Sequence, residues 1–435
     1  MPGGMRNDPA PVAAGLRDWL GLNSSTLALL GTIVLVTAAT ELWSPLIPEY
    51  LKALQTDAGR GSVYAILAVG AYGFYRDALE ALNYYLGGAI SGRLNARRSL
   101  LLFNFLPIVG LAILALYSST LAVFIAIPFI FAWDSIAGPA TVTVVGDSLR
   151  ADRRTMAFSL QHILRRLARI VAYFVSAPLV WYLGRENGVK ADAALAILFV
   201  IGAGVIQYKY MHTTSRDTAF EFDRPRRLLR RFDPNLKRLL AADIFARWAE
   251  GLAGYFVILY AVPILAASRD QGAALYQSVL LTVQAVTSMV TYVIVGPLAS
   301  REGLAKKPYI NLTFLFFALF PVAVLVLGSA FGFAGLILAF VIGGLREIGE
   351  PARKAMIADL VPSDVKTQAI GMYWSVRSAS VMWAAPVGAL LWIAGERIRP
   401  GAGPALTFLC ASLLGFVGAA VFFIGFGRRG QLPTG

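Results

Sequence analysis

The stretch SLQHILRRLARIVAYFVSAPLVWYLG, residues 159–184, carries Arg165, Arg166 and Arg169 into a run whose second half is apolar enough for a bilayer. An arginine at mid-bilayer costs about 2.5–3.5 kcal/mol, and a good apolar residue returns only about 0.3–0.6 kcal/mol. Three guanidinium groups therefore cannot face lipid; they must face protein or water. At about 100° per residue, Gln161, His162, Arg165, Arg166, Arg169, Tyr173 and Ser176 share an arc of about 140°. Ile163, Leu164, Leu167, Ile170, Val171 and Phe174 occupy the far side. A guanidinium is a planar fork suited to a carboxylate or a phosphate, so the chemistry on offer is anion recognition or internal ion pairing.

Other apolar runs repeat the device. Tyr72, Arg76, Asp77, Glu80, Asn83 and Tyr84 share one helical face, with Arg76 and Glu80 one turn apart and able to pair. Arg346, Glu347, Glu350, Arg353 and Lys354 share another, and Glu350 is within reach of Arg346, Arg353 or Lys354. Arg247 and Glu250 stand in DIFARWAEGLAGYF, and Glu41, Asp134 and Arg377 in further apolar runs. With every carboxylate ionised, these groups leave a small cationic surplus. A dry cavity would not tolerate it; a wet cavity with an anionic occupant would. The expected substrate contacts are Arg165, Arg169, Arg346 and Arg377, with Trp133, Tyr173 and Trp374 available for stacking. Desolvation favours the neutral form of a carboxyl group, so a coupling proton could ride on Glu41, Asp134, Glu250, Glu347 or Glu350. The competing reading neutralises the arginines with Asp134, Glu347 and Glu350 on neighbouring helices. His162 reads as a satisfied polar side chain.

The elements that must position these groups follow from composition. The 435 residues are 57% hydrophobic and 15% charged, against about 25% charged in soluble domains. This is a multi-pass membrane composition. The net charge of +14 does not point to nucleic acid, because lysine and arginine concentrate in alternate loops, on the side of the N-terminus. That asymmetry is an orientation signal with anionic-lipid contact, and it places both termini in the cytoplasm of a plasma (inner) membrane protein. The N-terminal residues show no signal-peptide pattern. Cys410 is the single cysteine, so no disulfide framework is expected.

The expected fold is an all-α membrane protein of twelve transmembrane helices in two pseudo-symmetric six-helix bundles. Residues 1–24 form a cytoplasmic lead, 25–211 the first bundle, 212–236 a basic cytoplasmic linker, 237–427 the second bundle and 428–435 a tail. The fifth and sixth spans are expected at 156–183 and 193–211, the ninth and tenth at 308–328 and 331–360. RPRRLLRR in the linker could form an amphipathic surface helix. The halves repeat one another. At one constant offset Pro139 meets Pro351, Asp147 meets Asp359, and Arg165 meets Arg377; a register one turn away pairs Arg169 with Arg377. Two arginines from opposite halves could then clamp one anion. Parallel six-helix repeats are a transporter architecture.

GAISGRLNARR and GPLASREGLAKK, in corresponding loops, carry a resemblance to the major facilitator superfamily that runs along almost the whole chain. Gly88, Arg93 and the Arg97–Arg98 pair match its signature loop, G-x-x-x-D-R-x-G-R-[RK], as Gly296 and Arg301 do in the second copy. Gly92 and Ser300 stand where the family has its aspartate. The resemblance implies a cavity lined by spans one, four, seven and ten. Arg76, Asp77, Glu80, Gly88, Arg93, Asp147, Gly296, Arg301 and Asp359 are expected in gating or structural roles. Ala168, Ala172, Ser176 and Ala177 before Pro178 suit close helix packing but lack the glycines of exporters in that family.

The expected function is secondary transport by alternating access, coupled to protons, with an anionic or amphiphilic anionic substrate. The alternative is proton-driven efflux of hydrophobic cations, with the arginines locked in salt bridges. There is no H-E-x-x-H, P-loop or nucleophile elbow and there are only two histidines, so no enzyme, metal site or cofactor is expected. Expected partners are a small-molecule substrate, protons and membrane lipids, with no nucleic acid and the chain acting as a monomer.

Overall fold

Glycine and proline decide where the long apolar runs bend. A computed structural model describes residues 24–59, 61–93, 96–131, 151–210, 225–266, 273–299, 307–361 and 366–427. Every regular element among them is helical. They are α1 (Ser24–Trp43), a 3₁₀ turn (Ser44–Leu46), α2 (Ile47–Asp57), α3 (Ser62–Arg93), α4 (Ala96–Leu116), α5 (Thr120–Ile130) and α6 (Ala151–Tyr210). Then come α7 (Pro225–Arg230), α8 (Pro234–Ala266), α9 (Ala273–Ala299), α10 (Lys307–Leu345), α11 (Glu350–Leu360), α12 (Lys366–Val381), α13 (Ala384–Ile398) and α14 (Gly403–Gly427).

Seven helical stretches among the described residues are long and apolar enough to cross a membrane. Two of them contain a fold-back. Gly184 (φ 77°, ψ 170°) interrupts α6 and Gly332 (φ 58°, ψ −131°) interrupts α10. At such positive φ a side chain would be strained. The loop expected after residue 183 is therefore a glycine hinge, and residues 185–192 are helical.

Helices of residues 24–210 pack mainly on one another, as do those of 234–427; α3 crosses to α12 and α13, and α6 to α9. The sidedness of α6 is plain. Ala168, Ala172, Tyr173, Ser176 and Ala177 are buried, while Leu167, Val171 and Phe174 are exposed. An exposed apolar face of this kind is stable only against acyl chains. The basic linker does not simply lie on a membrane face: Leu228 and Phe232 are buried in an apolar cluster with Leu236, Met356, Tyr373, Phe422 and Phe426.

Candidate functional site

The charged stripes meet where the two helix groups face each other. On α6, Arg169 Nε lies 2.7 Å from Glu41 Oε1 of α1, and Tyr173 donates its hydroxyl to Glu41 Oε2 at 2.9 Å. One turn earlier, Arg166 lies 3.2 Å from Glu347 Oε2 in the other group. The Tyr292 hydroxyl of α9 donates to that same oxygen at 2.5 Å, and the Arg166 guanidinium sits 5.8 Å from the Tyr292 ring centre. Arg165, half-buried, shares the face.

The helices of 234–427 hold a denser cluster. Arg353 contacts Asp243 Oδ2 at 2.5 Å and Glu350 Oε2 at 2.6 Å. Arg247 contacts Glu350 Oε1 at 2.8 Å and Glu250 Oε2 at 2.7 Å. Arg346 reaches Glu250 Oε1 at 3.4 Å, donates through Nε to the Gly343 carbonyl, and stacks near Phe317 and Phe320. The Tyr373 hydroxyl donates to Asp243 at 3.2 Å.

A helix break presents much of this cluster. Residues 346–349 form a turn between α10 and α11, so the tenth span expected at 331–360 is not one continuous helix. Pro351, in the first turn of α11, would clash with the carbonyl four residues earlier in a continuous helix. Gly349 passes so close to α10 that a Cβ would lie 2.3 Å from the Tyr309 carbonyl oxygen, and its N–H donates to Thr313 Oγ1 at 2.7 Å. Interrupted helices with charged groups at the break are a recurring way to place a transport site.

Arg377 is held differently. Its two terminal nitrogens lie 3.8 Å from Glu80 Oε1 and 3.9 Å from Asp243 Oδ2. Both separations are too long for hydrogen bonds, so its donors are not taken up by these carboxylates. Arg169, Glu250 and Glu80 keep 34%, 35% and 32% of their side-chain surface accessible. These three charged groups therefore remain partly accessible within the helix packing.

Several expectations change. Arg169 is paired with Glu41, so a clamp of Arg169 with Arg377 is not the observed arrangement. Arg76 does not pair with Glu80; it donates to the Tyr255 hydroxyl at 3.3 Å and sits 4.8 Å from the centre of the Phe131 ring. Arg346 is wedged between aromatic rings rather than open. Glu350 is buried, its carboxylate occupied by Arg247 and Arg353. Trp374 packs against Tyr84 with the rings tilted by 50° and their centres 5.5 Å apart. Asp77 lies half-buried on the Arg76 face. Trp133, Asp134, Asp147 and Arg301 lie outside the described residues. So do the surroundings of Gly88, Arg93, Gly296 and Asp359, whose backbones belong to α3, α9 and α11.

Sequence reasoning missed Asp243, which meets Arg353, Arg247 and Arg377 and reduces the cationic surplus. Its signal was available: it stands four residues before Arg247 in an apolar run. Tyr255, Tyr292 and Tyr373 had no such signal.

No family model matches the sequence, and no curated protein matches it. Solved structures do. The human organic anion transporter MFSD10 (TETRAN) is 16% identical over 92% of this chain and 99% of that one, with a TM-score of 0.66. A peptide transporter POT in complex with sulfate is 15% identical over 93% and 94%, with a TM-score of 0.71. The chain has the major facilitator fold. A variant of the nucleoside transporter NupG matches equally well in shape, at 13% identity over 93% and 100% and a TM-score of 0.71.

Proposed function

We propose that this chain is a secondary transporter that crosses the membrane twelve times and carries a small anionic solute by alternating access, coupled to protons. Arg377 carries the reading: an arginine at the interface between the halves whose carboxylate contacts among the described residues lie at 3.8 and 3.9 Å. A carboxylate or phosphate entering there can take the short, forked hydrogen bonds that Glu80 and Asp243 do not make. Arg166 and Arg169, half-buried on α6, supply further cation when their own partners change.

Glu347 and Glu41 are the groups that make that change. Each holds an α6 arginine and accepts a tyrosine hydroxyl. A proton on Glu347 weakens the Arg166 link between the halves; a proton on Glu41 frees Arg169 for the solute. Glu350 is committed to its arginines and serves the framework. The solved structures add support by class: one neighbour is an organic anion transporter and another holds sulfate.

The test is uptake into proteoliposomes under an imposed pH gradient, with anionic and cationic solutes compared. Anion uptake should be proton-driven and fall about tenfold or more in Arg377→Gln, with folding intact by size exclusion. Cation flux that is indifferent to Arg377→Gln would replace this reading with hydrophobic-cation efflux.

A further inference from the structure

A second binding feature lies on the outside of the first half. α4 and α6 enclose a groove of about 370 Å³, lined by Leu101, Phe105, Ile108, Val200, Gly204 and Val205 among others. Its wall is almost wholly apolar. Gly204 faces this open space: a Cβ there would meet nothing within 4 Å. Residues 200–209 rise about 13 Å along α6, close to the roughly 15 Å depth of one hydrocarbon leaflet.

One end of the groove differs from the rest. Lys209 lines it, exposed, beside Tyr208 and one residue before Tyr210. Tyrosine with lysine at a helix end marks the headgroup level. The same end lies toward the start of α4, where Leu101 lines the groove opposite Tyr208 and Lys209. The groove floor also holds a polar spot. Asn104, 3% exposed and lining the groove, donates to Gln207 Oε1 at 2.6 Å, while its own Oδ1 has no hydrogen-bond partner among the described residues.

We infer that this groove is a binding site for one anionic phospholipid, an acyl chain lying along Ile108, Val200 and Gly204 and the phosphate beside Lys209 and Tyr208. The site is separate from the interface between the halves and does not depend on which solute is carried there.

Native mass spectrometry of the detergent-purified full chain tests this, with phosphatidylglycerol and phosphatidylcholine of identical acyl chains as probes. Phosphatidylglycerol should be retained preferentially as a single adduct. Lys209→Gln, an exposed and structurally mild change, should weaken that adduct about fivefold and leave phosphatidylcholine unaffected. Gly204→Leu, which fills the groove, should reduce both adducts, with unchanged size-exclusion behaviour as the check on folding. Equal retention of the two lipids by the unaltered protein, or a phosphatidylglycerol adduct that neither substitution weakens, would overturn the assignment.

Discussion

In the helices of residues 234–427, Arg247, Arg346 and Arg353 find carboxylates within their own half, at 2.5 to 3.4 Å. In residues 24–210, Arg166 reaches Glu347 of the other half and Arg76 reaches Tyr255, while Arg169 holds Glu41 within its own half. The same residue types therefore do two jobs. A cluster closed on itself fixes helices in register, because removing one member strands the rest in a low dielectric. A pair spanning two bodies, or a pair with solvent access, can exchange partners when the bodies move. The closed cluster around Asp243 and Glu350 reads as framework, and Arg166, Arg169 and Arg377 as the groups whose charges change hands.

The strongest way to break this comparison is Arg353→Met. It leaves Asp243 and Glu350, both almost fully buried, short of a counter-ion, and should cost about 3–5 kcal/mol. The purified protein should show a large fall in Tm or fail to stay monodisperse; an unchanged Tm would remove the framework role. Gly349→Ala comes next, because the new Cβ must push on the Tyr309 carbonyl. A loss of about 1–3 kcal/mol is expected, read as a lower melting temperature.

Glu347→Gln should separate coupling from stability. The amide keeps the size of the side chain and its contact with Tyr292 but removes the charge facing Arg166. Proton-driven accumulation should drop about tenfold while solute exchange across the liposome persists. Equal loss of both would make Glu347 structural. The smallest effect belongs to Lys52→Ala. Its 3.9 Å contact with Glu49 is peripheral, and Arg185 holds Glu49 at 2.9 Å. Stability should stay within about 0.5 kcal/mol, which chemical denaturation can check.

Reading the chain alone went furthest where the constraint was local. Leu167, Val171 and Phe174 do face outward and Tyr173 and Ser176 inward, since helical periodicity sorts one helix into faces. Arg247 and Glu250 pair because they stand three residues apart. The same rule misassigned Arg76 and Glu80, equally well spaced, because Tyr255 lies nearer in space. Asp243 was overlooked in a run read for its arginine and glutamate. The break at Arg346–Gly349 was foreshadowed by Gly349 and Pro351, yet the charged stripe from Arg346 to Lys354 ran on through it.

What the sequence determined by itself is that these charges must turn inward, on helices with one lipid-facing side. The cost of placing guanidinium groups in hydrocarbon leaves no other choice. Only the tertiary structure decided that Arg166 meets Glu347, that Arg169 meets Glu41, and that Arg377 is left with carboxylates at a distance. Residue spacing encodes neighbours one helical turn apart. Partners more than a hundred residues away are chosen by how helices pack, and a local pattern carries no record of that.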